Sequence, residues 1–276
     1  MSLQYHLKLA PGDAAPTVLL PGDPGRVAVV ASVWDEAREV ANNREYVTYT
    51  GVYGGMPISC TSTGIGAPST AIALEELARV GATTFIRIGT CGSLQRHARV
   101  GDIAIFDSAI RADGASAMYA PLEYPSVAHH EVVSAAIGAA RRLGVPHHVG
   151  TTFSTDLFYV PEPGSAFGGY EQSGWRERYA DIARTNALAA EMETSVLLVL
   201  ARIWGLRAGA LALVSDAVED KNDAGEFEPG ATFDVSAEPI ERLARMGCET
   251  GWILDERNRA GSTGSVEGRR TPPPRR

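Results

Sequence analysis

Apolar residues along this chain follow two rhythms: short β-branched and aliphatic runs that stop at glycines, and longer stretches repeating every three or four positions. TVLL at 17–20 predicts a strand leading into Pro21-Gly22-Asp23-Pro24, where Asp23 can cap a helix with Pro24 in its first turn. YVTYTGVY (46–53) and MPISCTST (56–63), joined by Gly54-Gly55, predict a hairpin that Gly64-Ile65-Gly66 then breaks. PSTAIALEELARVG, from Pro68 to Gly81, has helical spacing with Pro near its start and Gly at its end. TTFIRIG (83–89) predicts a strand stopping at Gly89, and VGDIAIFDSAI (100–110) another. Further on, 129–143 predicts a helix, 149–153 an extended stretch, EMETSVLLVLARIWG (191–205) a long apolar helix ended by Gly205, RAGALALVSD (207–216) a buried strand, and about 234–257 a closing helix. Strands alternating with helices predict an α/β fold: a single domain over residues 1–257, a central mixed twisted sheet flanked by helices, with ligands expected where strands end. RNRAGSTGSVEGRRTPPPRR is polar, rich in Gly, Pro and Arg, and without an apolar period, so 258–276 is expected to be a disordered tail.

Composition narrows the function. The 276 residues carry a net charge of -8, against the basic face that nucleic acid demands, so any phosphate has to be bound locally. Three cysteines, Cys60, Cys91 and Cys248, lack zinc or redox spacing and fit a reducing compartment. The first residues lack the features of a secretory signal and no apolar run is long enough for a bilayer, so a cytoplasmic protein with no membrane partner is expected.

Four segments carry candidate chemistry, each with an ordinary alternative. Pro21-Gly22-Asp23-Pro24-Gly25-Arg26 serves as a turn and helix start, but a glycine amide there with an arginine one turn on also suits a small oxyanion. Arg87 sits inside an otherwise apolar strand, where its guanidinium needs a carboxylate or an anion, and Thr90 just beyond can donate a hydroxyl to the same anion. Glu191-Met192-Glu193 reads as acids complementing a helix dipole, or as one carboxylate accepting both vicinal ribose hydroxyls while Met192 packs on the sugar. Ser215-Asp216 ends a nearly all-apolar strand, where the aspartate caps the next turn or, held partly desolvated, protonates a leaving base. Gly64-Ile65-Gly66-Ala67-Pro68-Ser69 misses the dinucleotide fingerprint at its third glycine, and His129-His130 and His147-His148 are adjacent rather than one helical turn apart, so no metal site is expected of them.

Taken together, PGDPGR (21–26), NNREYVTYTG (42–51), TGIGAPS (63–69), RIGTCG (87–92), FSTDLFY (153–159), AEMETS (190–195) and VSD (214–216) resemble the hexameric nucleoside phosphorylase family of purine nucleoside and uridine phosphorylases, from about residue 6 to 257. The resemblance implies a pentosyltransferase that needs no organic cofactor and takes inorganic phosphate as co-substrate. It implies phosphate at Gly22, Arg26, Arg87 and Thr90, with Arg44 reaching in from a neighbouring subunit. It places the ribose at Met192 and Glu193 with His6 donated by the neighbour, and the base at Phe158, Ser215 and Asp216, leaving Asp216, Arg87 and Glu193 as the catalytic set. It also implies a homo-oligomer, a dimer at least and a hexamer as trimer of dimers, and allows a monovalent cation at Glu45, Ile65 and Ser69.

Base identity divides the signals. Arg44-Glu45, RADGAS (111–116) and APLEYP (120–125) are similar to uridine phosphorylases, but the Gln-x-Arg pair that reads uracil in those enzymes is missing from Val160 to Phe167. FSTDLFY and Ser215-Asp216 are similar to purine enzymes, although AVEDKNDAGEFEP (217–229) lacks the arginine that assists the aspartate in some of them. Purine nucleosides are therefore narrowly expected, with uridine as the alternative. A nucleosidase is disfavoured by the retained Arg26, Arg44 and Arg87, and a non-catalytic nucleoside-binding protein by retention of these with Glu193 and Asp216.

Overall fold

The computed structural model describes residues 3–159, 166–216 and 237–262. Its strands are β1 (Thr17–Leu20), β2 (Glu36–Asn43), β3 (Tyr46–Tyr53), β4 (Met56–Thr61), β5 (Thr84–Ser93), β6 (Ile103–Ala112), β7 (His147–Thr155), β8 (Ala189–Glu191) and β9 (Arg207–Asp216). The helices are α1 (Gly25–Ala31), α2 (Ala67–Arg79), α3 (Gly114–Tyr119), α4 (His130–Leu143), α5 (Trp175–Arg184), α6 (Thr194–Trp204) and α7 (Ala237–Ser262). The strands form one mixed sheet in the order β2-β3-β4-β1-β5-β8-β7-β6-β9, and a further β5–β9 pairing curls its second half closed.

Two apolar layers hold helices to the sheet. On one side α2 and α6 pack together over Leu74, Leu77, Phe85, Val196 and Leu200; on the other α1, α4 and α7 cover Leu19, Ile86, Ile88, Leu211 and Met246. The near-continuous burial of β5 and β9 follows, because a strand covered on both faces has no polar side to alternate with.

Several expected boundaries move, each for a local reason. β5 runs past Gly89 to Ser93, since the segment keeps pairing with β9 and then β8. Gly89 is needed for space instead: a Cβ there would lie 2.7 Å from Arg87 Nη2. The long helix starts at Thr194 rather than Glu191, and Ala189–Glu191 is a strand between β5 and β7. Glu191 ends it by accepting the N–H groups of Glu193 at 2.9 Å and Thr194 at 2.9 Å, satisfying donors that open the helix. The closing helix continues to Ser262, beyond the expected start of the tail at 258, and residues 263–276 lie outside the described residues. Among the described residues, no helix is long and apolar enough to cross a membrane.

Candidate active site

The segments that follow β1, β4, β7 and β8, together with residues of β5 and the end of β9, converge on one cavity of about 680 Å3. Its wall holds Gly22, Arg26, Arg87, Thr90, Met192, Glu193, Phe158, Ser215 and Asp216, together with Glu45, Ile65 and Ser69. Residues up to 194 positions apart thus meet because the strands and the turns and helix starts that follow them gather at one place.

At the centre is a buried cation between two acids. Arg87, 6% exposed on β5, places Nε 3.3 Å from Glu191 Oε2 and donates from Nη2 to Glu193. Its Nη1 is buried without a hydrogen-bond partner among the described residues. Arg26 lies close enough that Arg87 helps lower its pKa; burial is the main cause, and Asp23 opposes both. Two neighbouring guanidiniums, one with an unspent donor, favour an anion between them, because an unpaired buried donor is costly. The salt-bridge reading of Arg87 thus describes two of its three nitrogens, while Nη1 is left without a partner among the described residues.

Glu193 sits at the cap of α6, outside helical geometry at φ −138°, with its carboxylate turned back to the cavity. Oε1 accepts the Gly66 N–H at 2.6 Å, and Oε2 meets Arg87. Gly66 has φ +91°, a conformation that favours glycine, so the 63–69 loop presents this amide inward. Burial raises the Glu193 pKa, Arg87 opposes the rise, and Glu191 adds to it.

At the far wall, Ser215 Oγ lies 3.1 Å from Asp216 Oδ1 and 3.3 Å from the Cys91 carbonyl. Cys91 is buried, and its thiol pKa is raised first by desolvation and then by Asp216 and Glu191, so it stays a thiol. Asp216 stands opposite Gly92, where a Cβ would lie 2.5 Å from Asp216 Oδ2. Gly92→Ala is therefore expected to displace the carboxylate and lower kcat/KM roughly 10–100-fold. Circular dichroism should remain that of the native protein; an alanine variant with full turnover would show that Asp216 has no positional role.

Two of the expected site residues do not reach this cavity within one chain. Arg44 is exposed at the β2–β3 turn with φ +58°, and His6 lines a separate groove with Glu76, Arg79 and Tyr119. The two are joined nonetheless, since Asn43 Nδ2 donates to the His6 carbonyl at 2.7 Å. Around Gly64, Ser69 Oγ donates to the Ile65 carbonyl at 3.0 Å, and a Cβ on Gly64 would lie 2.9 Å from Glu45 Cγ, so these three candidate cation ligands are neighbours.

The sequence reading left out Thr155, Leu157, Tyr179 and Ala190, which complete the cavity wall. Tyr179 comes from α5, a helix with no fully buried residue and so little apolar signal. The sequence offers Glu191 as a helix-dipole acid or as one of two carboxylates for a ribose, and neither reading contains its ion pair with Arg87. Of the segments that carried the argument about the base, 160–165 and 217–229 lie outside the described residues.

The family model described as the phosphorylase superfamily matches residues 16–245. The chain is 46% identical over 261 residues to a uridine phosphorylase of Thermococcus kodakarensis, covering 94% of this chain and 91% of that protein. It is 37% identical over 246 residues to a guanosine phosphorylase of Halorubrum lacusprofundi, covering 89% and 97%, and 40% identical over 211 residues to a uridine phosphorylase of Escherichia coli, covering 75% and 83%. With this match spanning every strand and the cavity they build, the chain belongs to the phosphorylase superfamily, as an enzyme of the nucleoside phosphorylase class.

Proposed function

We propose that this enzyme is a uridine phosphorylase. An oxygen of inorganic phosphate forms a bond to C1′ of the nucleoside, the N-glycosidic bond breaks, its electron pair leaves with the base, and the base takes up the proton that the hydrogen phosphate gives up, giving ribose 1-phosphate and uracil. The observation that carries phosphorolysis is the unspent Arg87 Nη1 beside Arg26, a place for an anionic nucleophile. Phosphate held there by Gly22, Arg26, Arg87 and Thr90 faces the positive charge that develops on the sugar as the bond stretches. Glu193 receives the ribose hydroxyls over Met192, with the base lying toward Phe158, Ser215 and Asp216. His6 and Arg44, joined through Asn43 and outside the cavity of their own chain, serve a neighbour's pocket, so a dimer is the smallest active unit, and the family resemblance extends this to a trimer of dimers. The oxygen donors of Glu45, Ile65 and Ser69 suit a hard monovalent cation at that contact.

Uracil is favoured over the narrow sequence preference for purines by the uridine phosphorylases at 46% and 40% identity. A purine reading keeps two supports, Asp216 at the base end of the cavity and the guanosine phosphorylase at 37% identity.

Purified protein incubated with uridine, inosine, guanosine and adenosine, each with and without phosphate, should release base only with phosphate and fastest from uridine. Release independent of phosphate would replace phosphorolysis by hydrolysis, and faster purine turnover would restore the purine reading. In that second case Asp216→Ala should slow purines far more than uridine.

A further inference from the structure

Outside the main cavity, one buried acid has an arrangement that the reaction described above leaves unexplained. Glu76 lies on α2 and is 5% exposed. Its carboxylate accepts the His6 N–H at 3.0 Å and the Leu7 N–H at 2.8 Å, and its Oε1 lies 2.9 Å from His6 Nδ1. A single side chain thus holds both the backbone and the ring of His6. The ring is flanked edge-on by Tyr5 at 4.8 Å and Tyr46 at 6.4 Å between centroids, and Asn43 Nδ2 fixes the following carbonyl. This amounts to a socket for one imidazole, built from three separate elements.

An ionised carboxylate only accepts, so a ring nitrogen facing it must carry the proton. Glu76 stays ionised at neutral pH: burial alone would raise its pKa, but the bonds from Leu7 and His6 outweigh burial and lower it. With Nδ1–H committed to Glu76, neutral His6 presents Nε2 as a bare acceptor on the opposite edge of the ring, and the side chain as a whole is 28% exposed.

We propose that Glu76 is a positioning residue: it fixes the tautomer and direction of His6 so that Nε2 accepts a hydrogen bond from the 5′-hydroxyl of a nucleoside in the neighbouring subunit's cavity. The proposal rests on the reading of His6 as a residue donated across the interface. Because Asn43 ties His6 to the turn carrying Arg44, the same socket aligns the two donated residues as one unit.

The test compares uridine with 5′-deoxyuridine, or inosine with 5′-deoxyinosine if inosine is the better substrate, in wild-type enzyme and in His6→Ala, Glu76→Gln and the double variant. A glutamine at 76 can turn its NH2 toward Nδ1, which forces the other tautomer. Glu76→Gln is expected to lower kcat/KM for the 5′-hydroxyl substrate roughly 10-fold, as loss of an orienting partner typically does, with little effect on its 5′-deoxy analogue or on the KM for phosphate. The double variant should be no slower than His6→Ala. Equal losses on both substrates would mean a merely structural role and overturn the proposal, as would no loss on either. If His6→Ala itself fails to distinguish the two substrates, it is the donated-histidine reading that falls, and the role of Glu76 falls with it. Nitrogen-15 spectra of the wild-type histidines, with His6 assigned by its absence in His6→Ala, test the tautomer without relying on the folding of Glu76→Gln. Protonated Nδ1 with bare Nε2 is expected, and the reverse pattern overturns the proposal.

Discussion

Arg87→Ala is expected to reduce phosphorolysis by roughly three orders of magnitude and to destabilise the fold by about 3–5 kcal/mol. The two losses share one cause. Arg87 is the cation between Glu191 and Glu193, and neither carboxylate has more than a few per cent of its side chain exposed. Removing it leaves like charges facing each other out of water, with the backbone amides of Gly66, Glu193 and Thr194 as remaining donors. It also removes the unspent Nη1 proposed to receive phosphate, leaving Arg26 with Gly22 and Thr90 to hold it within the chain. Arg87→Lys separates the effects. A lysine restores the charge, and with it much of the stability, but a single ammonium cannot reproduce a fork that meets two carboxylates and an anion together. Its KM for phosphate should therefore stay high while its denaturation midpoint recovers. Urea unfolding and phosphate saturation curves measure the two separately, and an Arg87→Ala enzyme with native phosphate KM would remove Arg87 from the phosphate site.

How much of this was legible depended on whether a residue's neighbours in sequence are also its neighbours in space. Pro21 to Arg26 could be read directly, because turn, cap and arginine act within one short segment, and Asp23 Oδ1 does accept the Gly25 N–H at 2.8 Å. β9 was placed to the residue, since burial on both faces leaves an uninterrupted apolar run. β2 was missed because, among the described residues, it is an edge strand paired only with β3, carrying EAREVANN with no buried position to impose alternation. The helix expected from Glu191 failed because acids at a helix start look alike whether they complement its dipole or cap it from the strand before; only the pairing of Ser154 with Glu191 distinguishes them. Gly89 reads as a strand end, whereas the lack of a side chain there and at Gly92 makes room for Arg87 and Asp216. That purpose is invisible without the second residue's position. The socket around His6 was hidden likewise, since Glu76 stands 70 residues away on a helix whose other acid, Glu75, pairs ordinarily with Arg79.

Glu193→Gln is expected to lower kcat/KM for ribonucleosides roughly 100–1000-fold while leaving the KM for phosphate within a few-fold of native. In the folded chain its two oxygens face the Gly66 N–H and Arg87 Nη2, and the Met192 N–H also bonds the carboxylate. An amide has one acceptor and one donor end, so either orientation sets N–H against N–H at one of these positions, and only one oxygen remains for the two ribose hydroxyls. A substrate lacking one hydroxyl asks less of the residue. The loss should therefore be smaller for 2′-deoxyuridine, and the ratio of uridine to 2′-deoxyuridine turnover should fall. Stability should move the other way with pH. Burial, with Glu191 adding to it and Arg87 opposing, raises the folded carboxyl above its ordinary 4.5. The folded state then holds its proton after the unfolded chain has released its own, and stability declines as pH rises from about 4.5 through the folded value. Glutamine does not titrate, so the variant should lack this decline and gain on the wild type across that window in urea unfolding at successive pH values. An unchanged ratio between uridine and 2′-deoxyuridine would remove Glu193 from the ribose, and parallel pH profiles for the two proteins would mean that its carboxyl titrates in the folded chain as it does in the unfolded one.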